Sequence, residues 1–349
     1  MEAKDDILSL LRKKGNEAVH KLMRGLILQP GALGDCILTL PLATVMKEAL
    51  DLGSVDLMGH TEYTGILPGR SCIDGVRSIE SVELHRLFKN SREFDVSDGE
   101  SVVCAFREYS WVVSFMGEPD SDFEQNLLYA LNCTHSGIVI TLNFKAPYGY
   151  SGRLSEYYVN EFLKEVEEPK CISNIDLYHQ LLKPGRTDFI EGMKVLSDYE
   201  IGSYEKLAVI HPGSGALKKC WHIDNFISVA QVLMDKGFTV VFMLGPVEME
   251  KFGSERLKKI EKCFKCLIEL DLTQVLQVLS CSDVYIGNDS GVSHLAGALG
   301  VHSVVIYGVT EPSLYRPIGP KVKVVEAGTS FAKNVSRKTQ EKVLKQVKI

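Results

Sequence analysis

No apolar run in the 349 residues reaches the roughly 20 residues that a membrane-spanning helix needs. Basic excess is missing too: 39 Lys and Arg stand against 45 Asp and Glu, for a net charge of -6. A protein that tracks phosphates along nucleic acid usually shows the opposite balance, so a general nucleic-acid binder is disfavoured. Residues 1–24 carry acids early and lack a continuous apolar core, so they do not read as a secretory signal. The nine cysteines are odd in number and scattered through expected strands and helices. A reducing cytosol uses cysteine in this way, as a small buried apolar residue, and a cytoplasmic location is expected. Cys263 and Cys266 have CxxC spacing, but no second pair or nearby His completes a zinc set. The P-loop pattern GxxxxGK[ST] does not occur, and no GxGxxG follows the first expected strand. NTPases of the first kind and Rossmann dehydrogenases are therefore disfavoured.

What the sequence does hold is alternation. At 349 residues two domains are the natural expectation. "RGLILQP" is nearly all apolar, as a parallel strand buried on both faces should be. "TLPLATVMKEAL" reads as a helix, "SVDLMG" as a second strand, and "WVVSFMG" and "SGIVIT" as further strands. A Pro-Gly break in residues 182–189 marks a linker. A second α/β run follows it: "KLAVIHPG", a helix ended by Gly237, "FTVVFMLGP", the helix "LTQVLQVLSCSD", "VYIGNDSG", the helix "VSHLAGALG" and "HSVVIYG". Residues 1–24 and the Lys-rich residues 333–349 read as amphipathic helices. Two tandem Rossmann-like α/β domains are predicted, 1–185 and 186–325, with 326–349 as a C-terminal helix. The cleft between two such domains is the first place to look for chemistry.

Several turns at strand ends carry the chemistry. In "PGALGD" a single carboxylate, Asp35, follows Gly31 and Gly34 between an apolar strand and an apolar helix. A helix-start acid and a catalytic base are both consistent with that position. In "HPGSGALKKCW", Gly213 and Gly215 permit close backbone approach, Ser214 adds a hydroxyl, and Lys218 and Lys219 add cations. These are the parts of an anion cradle suited to a diphosphate; a plain turn with two solvated lysines is the competing reading. "GNDSGVSHLAGALG" ends a strand in Asn288, Asp289 and Ser290 and opens a helix at Gly291, with His294 one turn in. Amides at that start favour an anion, while Asp289 and Ser290 equally suit helix caps. "MLGPVEME" sets Glu248 just past a Gly-Pro turn, where an acid can bind ribose hydroxyls or simply be solvated.

"PGALGD", "HPGSG", "KKCW", "LGPVE", "GNDSGVSHLAGALG" and "YGVTEP" stand in the order and approximate spacing of glycosyltransferase family 9. The resemblance runs from about Gly25 to about Pro320 and is densest in the second half. That family includes ADP-heptose:lipopolysaccharide heptosyltransferases. The resemblance implies a GT-B fold, two Rossmann-like domains facing each other across a cleft, with acceptor on the first and nucleotide-sugar on the second. It implies a C-terminal segment that packs back on the first domain, and an inverting transfer that uses no metal or other cofactor. No DxD pair occurs at a strand end of the second half, which fits that route. By motif position, Asp35 corresponds to the general base and Lys219 to the lysine at the donor phosphate. Cys220 stands where the family often has Arg, and Lys218 is the nearest compensating cation. The remaining donor contacts fall on Gly31 and Gly34 of the first turn and on His211, Gly213, Ser214 and Gly215 of the second. Gly245 and Glu248 follow, then Asn288, Asp289, Ser290, Gly291 and His294.

The expected partners are a nucleotide-sugar, leaning to ADP-heptose, and a hydroxyl of a lipopolysaccharide-core or other glycan acceptor. Basic groups near both ends of the chain suit peripheral contact with an inner-membrane surface. An epimerase, a hydrolase or a non-catalytic nucleotide-sugar binder on the same fold remains open, because fold does not determine function.

Overall fold

The protein is described by a computed structural model covering residues 23–95, 100–166, 176–202, 204–328 and 331–347. Nearly all of the expected N-terminal helix lies outside the described residues. Two compact units are present. The first comprises Met1–Gly31, Thr39–Tyr150 and Leu154–Asp176; the second comprises Ala32–Leu38, Ser151–Arg153 and Leu177–Ile349.

The first unit is built on β1 (Arg24–Leu28), which is followed by α1 (Leu33–Leu38) and α2 (Leu40–Ala49). Then come β2 (Ser54–Gly59), β3 (Gly75–Ser78), β4 (Trp111–Ser114), α3 (Asp122–Asn132), β5 (Ile138–Thr141) and α4 (Leu154–Glu165). The five strands are parallel in the order β3-β2-β1-β4-β5. Strand β1 sits at the centre because its four apolar-face positions are wholly buried and it carries no charged residue past Arg24. A Cβ on Gly25 would lie 2.7 Å from both Leu52 and Met46, so α2 lies directly on the strand. The core holds Leu26, Leu28, Phe106, Tyr109, Phe123 and Leu127, each essentially inaccessible. Burial of each such side chain contributes roughly 1.5–3 kcal/mol.

The second unit opens with α5 (Arg186–Asp198), β6 (Leu207–His211), α6 (Ile223–Asp235), β7 (Thr239–Leu244), α7 (Pro246–Lys251) and α8 (Gly253–Glu261). It continues with β8 (Lys265–Ile268), α9 (Leu272–Ser280), β9 (Val284–Asn288), α10 (Gly291–Ala298), β10 (His302–Tyr307), β11 (Val322–Glu326) and α11 (Arg337–Gln346). Its six strands are again all parallel, in the order β11-β10-β9-β6-β7-β8. The strand order reverses between β6 and β9, and ligands of open α/β sheets bind at the carboxyl ends flanking such a reversal.

One difference from the sequence reading bears on function. The C-terminal helix, expected to return to the first domain, packs as α11 on α6 and β11 of the second unit. Asp35 lies in the first turn of α1, the helix-start position that its place in the sequence allows. That helix belongs with the second unit, where it packs on α10. Among the described residues no helix is long and apolar enough to cross a membrane.

Candidate active site

Strands β6 and β9 pair in parallel register, with His211 opposite Gly287, so their carboxyl ends emerge side by side. Asn288 ties the two turns together: its Nδ2 donates to the Pro212 carbonyl at 2.7 Å, and its Oδ1 accepts from the Trp221 amide at 2.9 Å. With both ends of this fully buried amide engaged by backbone, Asn288 positions the turns. Ser214 adds a second tie, donating its hydroxyl to the Asp289 carbonyl at 2.6 Å. Lys219 adds a third, its Nζ 2.7 Å from Asp289 Oδ2. The Lys219 side chain is one-third exposed and that of Asp289 9% exposed, so the pair faces outward from a mostly buried base.

Helix α10 starts at the same place. Ser290 is its N-cap and accepts from the Ser293 amide at 3.4 Å, a long capping bond. Helices α1 and α10 meet through two glycines. A Cβ on Gly34 would lie 3.1 Å from His294 Cδ2, and one on Gly291 would lie 3.1 Å from the Leu33 Cβ. This close approach brings Asp35 into the fields of both Lys219 and Asp289. Its carboxylate also accepts from the Ala32 amide at 3.1 Å, as an acid in the first helical turn does. Burial raises the Asp35 pKa above the ordinary carboxylate value, outweighing the Ala32 amide and Lys219, which act the other way. His294 is buried, and burial lowers its pKa to about 4 despite the pull of Asp289, so the ring is neutral near pH 7. The Nδ1 atoms of His294 and His211 are both buried without a hydrogen-bond partner among the described residues.

Glu248 has a local role that its position in the sequence does not announce. It is the third residue of α7, 2% exposed, and its Oε2 accepts from the amide of Gly245, the N-cap, at 2.7 Å. His211 Nε2 lies 3.6 Å away. Burial pushes this carboxyl up, but His211 and the Gly245 amide together hold it below the ordinary range. Gly213 makes room for it: a Cβ there would fall 1.5 Å from Glu248 Oε1. Replacement of Gly213 by Ala is therefore expected to destabilise the second unit by about 1–3 kcal/mol, as overpacking does. Chemical denaturation of the single variants and of G213A/E248A checks this. The double variant should be no less stable than E248A alone, because the colliding carboxylate is gone.

The other expected residues divide as follows. Gly31 lies in the first unit and donates its amide to Gln29 Oε1 at 2.9 Å. Gly215 is exposed with open space around it, and Lys218 is exposed beside it. Cys220 is buried and donates its thiol to the Ala216 carbonyl at 3.6 Å, so no cation stands at that position. Among the described residues no group of three or more His, Cys, Asp or Glu is placed to hold a metal ion. The arrangement can bind an anion at the Lys219 side and accept a proton at Asp35.

Residues 172–345 match the family model described as glycosyltransferase family 9 (heptosyltransferase). Lipopolysaccharide heptosyltransferase 2 of Salmonella typhimurium is 29% identical over 167 residues, 45% of this chain and 47% of that protein. The chain thus spans about half the length of the curated relatives it matches. A glycosyl transferase family 9 structure from Veillonella parvula is similar in fold, with a TM-score of 0.68 at 18% identity over 93% of this chain and 97% of that one. The E. coli ADP-heptose lps heptosyltransferase II gives 0.65 at 17% identity, with the same coverage. The fold is thus that of the GT-B heptosyltransferases, with two Rossmann-like units of parallel sheet and helix. In its second half the chain thus resembles glycosyltransferase family 9 in sequence, and as a whole it shares the fold of that family's heptosyltransferases.

Proposed function

We propose that this protein transfers a sugar from a nucleotide-sugar to a hydroxyl of a glycan acceptor, without a metal and with inversion at the anomeric carbon. The observation that carries the reading is the convergence of Lys219, Asp289, the start of α10 and Asp35 at the reversal of strand order. Asp35 takes the proton from the acceptor hydroxyl. The hydroxyl oxygen forms its bond to the anomeric carbon from the face opposite the leaving group, and the bond from that carbon to the diphosphate oxygen breaks. Negative charge then gathers on the diphosphate, where Lys219 and the amides beside Gly213 and Gly291 stabilise it. The names of the Salmonella and E. coli relatives support heptose as the sugar, ADP as the nucleotide and lipopolysaccharide as the acceptor class.

The donor assignment is tested by a thermal-shift screen of the full chain against ADP-, UDP-, GDP- and CMP-linked sugars. Binding to the folded state alone adds about 2.7 kcal/mol at a hundred-fold excess over Kd. An ADP-linked sugar is expected to raise Tm by a few degrees, and the rise should shrink in K219A. No shift with any donor, or an unchanged shift in K219A, contradicts the assignment.

A further inference from the structure

The donor-side turn is short of positive charge. Lys219 lies 2.7 Å from Asp289 Oδ2, so that pair brings no net charge to an anion. Asp35 adds a second carboxylate to the same neighbourhood. Even with Lys218 exposed on the same turn, two cations against two carboxylates leave no net positive charge for a diphosphate, and backbone amides supply only partial charges.

The missing charge stands on α7. Lys251, its last residue, donates Nζ to the Gly215 carbonyl at 3.2 Å, which holds an exposed ammonium at the lip of the turn. No carboxylate pairs with it among the described residues. A Cβ on Gly215 would meet nothing within 4 Å, so the side-chain side of that residue is open. An ammonium has three donors, and one spent on Gly215 leaves two. The same helix has Gly245 as its N-cap and is capped by Glu248, which packs against Gly213, so the position of Lys251 is tied to that of the turn.

We infer that Lys251 is a diphosphate-binding residue of the donor site, its ammonium pairing with phosphate oxygen while it holds the Gly215 carbonyl. The inference rests on the donor-site reading above and adds to it a residue outside the glycine-rich turns. Calorimetry on the full chain with ADP and with adenosine tests it. K251Q is expected to weaken ADP about ten-fold, as loss of a charge-assisted hydrogen bond does. Adenosine affinity should stay within about two-fold, ADP binding should become less salt-dependent, and K251R should restore most of the loss. An equal loss for ADP and adenosine would mean that Lys251 only pins the turn, and would overturn the inference. So would an unchanged ADP affinity in K251Q when K219A has lost it. A wild-type chain that binds none of ADP, UDP and GDP would instead remove the donor-site reading itself.

Discussion

Replacing Asp35 with Asn is expected to lower kcat by about 10²–10⁴-fold, the range that a positioned general base supplies. Asn keeps the shape of the side chain, and its carbonyl oxygen can still accept from the Ala32 amide, so α1 should keep its start. Nucleoside diphosphate affinity should not fall. Asp35 is a carboxylate in the field of Lys219 and Asp289, and its removal reduces repulsion of an anion. The pH profile adds a second check. A base works only when ionised, and burial raises the pKa of this carboxyl above the usual range. The acid limb of kcat should therefore lie above that of an ordinary carboxylate, and D35N should lose the limb along with the rate. His294, pushed down to about 4, is neutral on both sides of that limb when the limb lies well above pH 4. Turnover retained in D35N would remove the general-base role.

Lys219 to Ala should have the second-largest effect, and it should act on both binding and chemistry. The leaving diphosphate gains charge as the bond breaks, and loss of one preorganised donor at such a centre costs about 10²–10³-fold in kcat. Donor affinity should fall as well, because the charge is present before the reaction. The variant also leaves Asp289 mostly buried without its cation at 2.7 Å. Breaking a fully buried pair costs about 3–5 kcal/mol. With Lys219 one-third exposed, water takes over part of that role, and a stability loss of about 1–2 kcal/mol is expected. Rapid-quench kinetics beside chemical denaturation separates the two effects. Wild-type kinetics in K219A would place the diphosphate elsewhere on the second unit.

Much of this architecture is legible in the linear sequence because buried parallel strands are nearly continuous apolar runs. Strands β1, β6, β7, β9 and β10 are of that kind. Strands β3, β8 and β11 carry no such signal. They are edge strands of four or five residues, "GVRS", "KCLI" and "VKVVE", whose partial exposure removes the apolar signal. The glycine turns also mark one end of the second sheet, the carboxyl ends of β6 and β9, where His211, Gly213, Asn288 and Asp289 gather. What the turns do not convey is why particular glycines are there. Gly213 clears space for a buried carboxylate 35 positions later in the chain, and Gly34 lets α1 approach His294 on α10. Both are tertiary contacts with no local periodicity to announce them. The six residues of α1 are too few for a helical pattern to stand out, and their grouping with the second unit follows from those glycine contacts. Lys251 is illegible for a related reason: a lysine ending a short helix resembles any solvated surface lysine until its distance to Gly215 is known.

The central claim is transfer, and the most direct measurement is acceptor dependence. The full chain is incubated with the nucleotide-sugar that stabilises it, with and without a lipopolysaccharide core glycan lacking that sugar. Released nucleoside diphosphate is counted against product mass, and the new linkage is read by NMR. The account predicts one diphosphate released per glycan extended by one sugar, inverted configuration at the new linkage, and little release without acceptor. Equal release in the absence of acceptor, or an epimerised sugar with no extended glycan, would contradict it.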